Sequence, residues 1–176
     1  MTSTPDPTRR LVLLRHAKAE HFGREVDELR SLALAGRRQC VRISAALTAR
    51  DLVPELVLCS SAVRTRQTWD LVKTGLGEVS PAVEFSSGLY EAGVNEVLEL
   101  VQQIADGVRT VLVVGHEPTM SAMAATLAGE TSDESAVAHV RRGTSTGTFS
   151  VLDVDRPWRD LARRTARLHT VVAPAD

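Results

Sequence analysis

Aromatic side chains are scarce in this sequence: Phe, Trp and Tyr make up 3% of 176 residues, against 43% apolar residues overall. A core must therefore be built mainly from Leu, Val and Ala. Lysine is almost missing too, since Lys18 and Lys73 are the only lysines among 21 basic residues. Arginine suits bidentate phosphate contacts, but these arginines are scattered, as a bias of composition would leave them. Two cysteines, Cys40 and Cys59, exclude a disulfide framework and read as small core residues. No stretch approaches the ~20 apolar residues of a membrane-spanning helix. A net charge of −1 excludes a general attraction to nucleic acid or anionic membrane. The opening MTSTPDPTRR lacks an apolar stretch of signal-peptide length, so residues 1–9 are expected to form a loose tail, 10–176 one domain, and the cytoplasm is the expected compartment.

What is present is an alternation of short apolar runs and longer helical patterns. Strands are predicted at 11–15, 55–60, 82–87 and 109–116, with late strands at 146–154 and 166–174. Helices are predicted at 35–50, 62–76, 94–107 and 118–129, the third closed by Gly107 and the fourth opened by Pro118. The segment RPWRDLARR fits neither pattern. Continuous apolar strands alternating with helices imply an α/β fold, with a mostly parallel central sheet covered on both faces. Ligands of such sheets bind at the carboxyl ends of the strands.

Three of those ends carry chemistry. The first strand, LVLLR, runs into Arg15 and His16; the second ends in SSAVRTRQT, with Arg64; the fourth ends in GHEPTM, with His116. Two arginines and two histidines thus converge on one edge of the sheet, a set suited to a phosphoryl group. Arginines hold its oxygens by charge-assisted hydrogen bonds, and the N-terminus of the helix after His116 adds its dipole. One neutral imidazole can attack phosphorus, and the other can donate a hydrogen bond to the charged transition state. Glu117 could open the helix or belong to the site, and Ser60 could serve phosphate or a turn. A metal site of His16, His116 and Glu117 is disfavoured, because its spacing matches no short ligand signature and the arginines would repel a cation.

LVLLRHAKAE resembles the Arg-His signature of the histidine phosphatase superfamily, the phosphoglycerate mutase-like group, with Ala17 where the family usually has Gly. SSAVRTRQT and VLVVGHEPTM are similar to its second and third phosphate-binding segments, in matching order and spacing. The short chain, the SLALAGRRQ segment and the Gly-His-Glu-Pro variant look most like the SixA branch, the phosphohistidine phosphatases. The resemblance implies a three-layer α/β/α fold and a two-step reaction without metal or cofactor. His16 would accept the phosphoryl group, water would release it, and Arg15, Arg64 and His116 would bind its oxygens. By motif position it also implies Glu91 as the general acid, a group that an ester needs more than a phosphoramidate does. The expected substrate is phosphohistidine on a protein, for example a histidine phosphotransfer domain. The alternatives are a small phosphate ester and, less favoured, a phosphate-binding module without turnover.

Overall fold

A computed structural model describes residues 8–21 and 23–174. In chain order they form β1 (Arg9–Arg15), α1 (Leu34–Thr48), β2 (Leu56–Ser60), α2 (Val63–Gly75), β3 (Ala82–Ser86), α3 (Gly88–Glu91), α4 (Val94–Gln102), β4 (Thr110–Gly115), α5 (Thr119–Leu127), α6 (Glu134–Arg141), β5 (Phe149–Val154) and β6 (Arg167–Val172). Short 3-10 turns lie at Asp27–Leu29 and Trp158–Asp160. No described helix is long and apolar enough to cross a membrane. The first strand starts at Arg9, which is buried, and residues 1–7 of the expected tail lie outside the described residues.

The six strands form one sheet in the order β3-β2-β4-β1-β5-β6. β3, β2, β4 and β1 run parallel, and β5 and β6 extend the sheet antiparallel from β1. The apolar run of β1 is explained by its two-sided burial. Leu11 and Leu13 pack into one core with α4, α5 and α6, whereas Val12 and Leu14 pack into the other with α1 and α2. Successive strand residues point to opposite faces, so both faces of the central strands must be apolar. Cys40 and Cys59 lie in the second core, free and buried, and burial pushes both thiols up to about 12. With few aromatics available, Trp69 and Trp158 each anchor one layer.

Two boundaries and one helix depart most from the sequence reading. α4 ends at Gln102 rather than near Gly107, because Gln103 and Ile104 turn off through bonds to the carbonyls of Leu100 and Val101. β5 begins at Phe149 rather than at 146, because the preceding loop wraps the end of β1: Gly147 N donates to the carbonyls of Arg15 and His16. The sequence reading has no helix at α6, whose buried face is only Ala136 and Val140; its marker is Asp133, which caps Ala136 N at 2.8 Å. The ambiguous RPWRDLARR segment is a turn pinned by Trp158, whose indole donates to the Val108 carbonyl at 2.8 Å.

The loop after β1 is held by close backbone approach. Gly36, in the first turn of α1, lies against the Lys18 peptide, and a Cβ there would run into the Lys18 carbonyl. That carbonyl also accepts from Ala33 N. Gly36→Ala is expected to destabilise the chain by about 3 kcal/mol, a drop in Tm of about 10 °C at this size, measured by thermal denaturation.

Candidate active site

The parallel strands β1, β2 and β4 bring three chain segments to one edge. In the described residues His16 follows β1 directly, Ser60 ends β2, Arg64 sits in the first turn of α2, and His116 follows β4. His16 N donates to the Gly115 carbonyl at 3.0 Å, continuing the β1–β4 ladder one residue past the strands. The two imidazoles therefore sit side by side, with ring centroids 5.3 Å apart. The four residues read from the three motifs are together.

The tautomer of His16 is set by its backbone. Nδ1 lies 2.8 Å from the Ala17 carbonyl, which can only accept, so Nδ1 carries the proton. Nε2 keeps its lone pair and accepts from Arg64 Nε at 3.3 Å. The Ala17 peptide is fixed in turn, since its N–H donates to Thr68 Oγ1 at 3.1 Å and Thr68 Oγ1 donates to the Arg64 carbonyl at 2.6 Å. Burial is the main cause, and the neighbouring His116, Arg64 and Arg15 further causes, that hold the His16 pKa down to about 3. His16 is thus a neutral, oriented imidazole with its reactive nitrogen on the arginine side.

His116 is paired differently. Its Nδ1 accepts from Arg64 Nη2 at 3.4 Å and its Nε2 lies 2.8 Å from Ser60 Oγ. Burial and the Arg64 charge hold its pKa down to about 4. With Arg64 donating to Nδ1, the proton lies on Nε2 and points to Ser60; a hydroxyl can also donate, so Ser60 would equally support the other tautomer if another acceptor took the Arg64 edge. Ser60, for which the sequence leaves phosphate binding or a turn, pairs with His116, and its Oγ also accepts from Ala62 N in the turn after β2 at 3.4 Å.

Both arginines are clamped in the same way. Arg64, buried at 5% exposure, gives Nη1 to the Asp27 carbonyl at 2.8 Å and Nη2 to Asp27 Oδ2 at 2.9 Å. Its Nε and Nη2 edge faces the two histidines. Arg15 gives Nη1 to the Thr144 carbonyl, and its Nε is buried without a hydrogen-bond partner among the described residues. In each case a loop carbonyl takes Nη1; the Nε side then meets the two histidines in Arg64 and no described partner in Arg15. A tetrahedral oxyanion meets such side-on edges bidentately.

Asp27 and Tyr90 carry no motif, and sequence reasoning missed them. Asp27 Oδ1 accepts from Arg30 Nε and Nη2 at 3.2 and 2.9 Å, and Oδ2 accepts from Arg64 and from the Tyr90 hydroxyl at 2.6 Å. The Tyr90 hydrogen bond, with the Arg64 and Arg30 contacts, holds its carboxyl down to about 2. The Tyr90 ring stands edge-on to His116, with centroids 5.4 Å apart. Glu91, the acid expected from motif position, is exposed at the end of α3, and its carboxylate makes no hydrogen bond or ion pair with described residues. Its neighbour Tyr90 is the residue of α3 that reaches His116. Glu117 is turned to Ser121 and Thr144, and no group of three His, Cys, Asp or Glu side chains comes together as metal ligands among the described residues.

No protein-family model matches the chain. It is 37% identical over 156 residues to an uncharacterized protein of Mycobacterium tuberculosis, covering 88% of this chain and 96% of that protein. The fold matches a candidate phosphohistidine phosphatase SixA from Nakamurella multipartitia at 34% identity and a TM-score of 0.85, over 98% of this chain and 100% of that one. A second such candidate, from Agrobacterium tumefaciens, matches at 30% identity and a TM-score of 0.77, again over 98% and 100%. The chain belongs to the histidine phosphatase superfamily, the phosphoglycerate mutase-like group. Within it the chain is most like the SixA branch, and the membership brings hydrolase chemistry of the histidine phosphatase type.

The depressed histidines have a consequence for stability. A group whose folded pKa lies below its unfolded value of about 6.5 binds its proton more readily in the unfolded chain. The stability held by neutral His16 and His116 is therefore complete above about pH 6.5 and is lost as pH falls toward 4 and 3. Calorimetry should show Tm falling between pH 7 and pH 4.5, with a shallower slope in a His16→Asn, His116→Asn double variant.

Proposed function

We propose that the protein is a phosphohistidine phosphatase that acts through a phosphorylated His16. His16 Nε2 forms a bond to phosphorus as the phosphorus–nitrogen bond of the substrate breaks, and the departing imidazole leaves with its own proton. Water then attacks phosphorus, the bond to Nε2 breaks, and phosphate leaves with the water proton passing to solvent. Arg15 and Arg64 hold the phosphoryl oxygens through their Nε-side edges. Once a phosphoryl oxygen takes the Arg64 Nη2 edge in place of His116 Nδ1, His116 adopts the tautomer that Ser60 allows and donates from Nδ1. The charge on the transferring group is met by two guanidinium groups, so the reading needs no metal or cofactor.

The observation that carries the choice of substrate is the state of the carboxyls. General acid catalysis is worth about 10²- to 10⁴-fold and needs a protonated group within reach of the leaving atom. Asp27, which holds Arg64 beside the histidines, is kept ionised with a pKa of about 2, and the Glu117 carboxylate is turned to Ser121 and Thr144. Tyr90 gives its only hydroxyl proton to Asp27. Glu91 points into no contact with these groups. A phosphate ester would lack a donor for its leaving oxygen here, whereas an imidazole protonated before departure does not need one. The partner is then a protein bearing phosphohistidine.

The test compares kcat/KM for phosphate release from a phosphohistidine-bearing protein domain with that from a panel of small phosphate esters, chelator present. The phosphoprotein should win by about 100-fold or more, a transition-state preference of about 2.7 kcal/mol, and His16→Ala should abolish release from it. An ester that wins would overturn the substrate assignment and return Glu91 to the acid role. Loss of activity to the chelator would overturn the metal-free mechanism.

A further inference from the structure

Glu117 lies between the second histidine and α5, and the phosphoryl-transfer mechanism above gives it nothing to do. Its surroundings are unusually complete. Oε1 accepts from Ser121 N at 3.0 Å and Thr144 Oγ1 at 3.1 Å; Oε2 accepts from Ser121 Oγ at 2.6 Å and Thr144 N at 3.2 Å. A carboxylate accepts about four hydrogen bonds, so none of its capacity is left for substrate or metal. Two of the four donors belong to the first turns of α5, next to His116. The other two belong to Thr144, which is 27 residues further on and buried at 7% exposure.

Thr144 is also the residue whose carbonyl takes Nη1 of Arg15. It follows Gly143, whose φ of +86° turns the chain sharply and leaves its Cα side open to Glu117 Oε2. The same loop is stitched to β1 at its other end, where Gly147 N donates to the Arg15 and His16 carbonyls and Arg15 N donates to the Thr148 carbonyl. The backbone around Arg15 is thus fixed by the loop's far end. The direction of its guanidinium is fixed by Thr144, and Thr144 is fixed by Glu117. Among the described residues, no other side chain holds the Thr144 N–H and hydroxyl.

We infer that Glu117 is a positioning residue for phosphoryl binding, acting through Thr144 to aim the Nε edge of Arg15 at the phosphoryl oxygens. The inference rests on the assignment of Arg15 as a phosphoryl ligand. It explains why a carboxylate is tolerated beside an anion site: four donors surround it, its charge favours the Arg15 cation, and the result reaches the anion as an oriented guanidinium.

The test is a thermodynamic cycle on the binding of inorganic phosphate to the full chain, read by titration calorimetry. Glu117→Gln replaces one acceptor oxygen with an amide nitrogen, which cannot accept the Thr144 donor or the Ser121 donor that this oxygen takes. It should weaken phosphate about tenfold in the wild-type background and less than twofold in an Arg15→Lys background, where there is no guanidinium left to aim. Thr144→Val likewise removes one of the two contacts, keeps the carbonyl, and should give a comparable loss with the same dependence on Arg15. If Glu117→Gln melts below the assay temperature, Thr144→Val carries the comparison alone. Equal losses in both backgrounds, or no loss in either, overturn the inference while leaving Arg15 as a ligand. Unchanged phosphate affinity in Arg15→Lys overturns the assignment of Arg15 itself, and the inference with it.

Discussion

A buried guanidinium is the constraint around which the site is built. A guanidinium is a charged, donor-only group, and taking Arg64 out of water costs free energy unless each edge finds an acceptor. One edge is satisfied by the carbonyl and carboxylate of Asp27, and the other by the unprotonated nitrogens of both histidines. These demands fix much of the rest. They favour neutral imidazoles, since an imidazolium facing Arg64 would meet like charge. They draw the 3-10 turn at Asp27–Leu29 down onto α2, and they bring Tyr90 and Arg30 in to complete the Asp27 carboxylate. The same arginine that recognises an anion in the proposed reaction organises the site that recognises it.

The distribution of roles follows from where each residue sits. Side chains at the ends of β1, β2 and β4, or in the first turn after them, face the inferred reacting group; side chains from loops hold those residues in place. Ser60 and Thr68 act on the histidines, Asp27 on one arginine and Thr144 on the other. Precision comes from the sheet, whose register fixes His16 against Gly115, and the loops supply carbonyls and carboxylates at its rim.

The parts legible in the sequence were those tied to a strong local pattern. The apolar runs of β1, β2 and β4 are conspicuous because both sheet faces are buried, and Arg15, His16, Arg64 and His116 follow those runs within a few residues. The antiparallel pairing of β5 and β6 and the existence of α6 were not legible, because short elements with small buried faces leave little periodicity. Asp27 and Tyr90 escaped for a different reason. Asp27 meets Arg64 across 37 residues and Tyr90 across 63, and each lies in a segment without periodicity. Glu117 was visible as a residue, but its purpose was not, because that purpose depends on a loop 27 positions away.

The contact between Arg15 and Thr144 spans 129 residues. β1 itself lies in the middle of the sheet, between β4 and β5, so the strand made first is completed by strands made in the last half of the chain. During synthesis the residues for phosphoryl chemistry emerge early, but they can be aligned only when the region past α6 has been made and folded back. Non-local closure of this kind is slow compared with helix formation. A partly made chain would therefore carry Arg15, His16 and Arg64 without the geometry to use them. Activity, on this architecture, is a late event in the life of the chain, and its appearance marks the completion of the sheet.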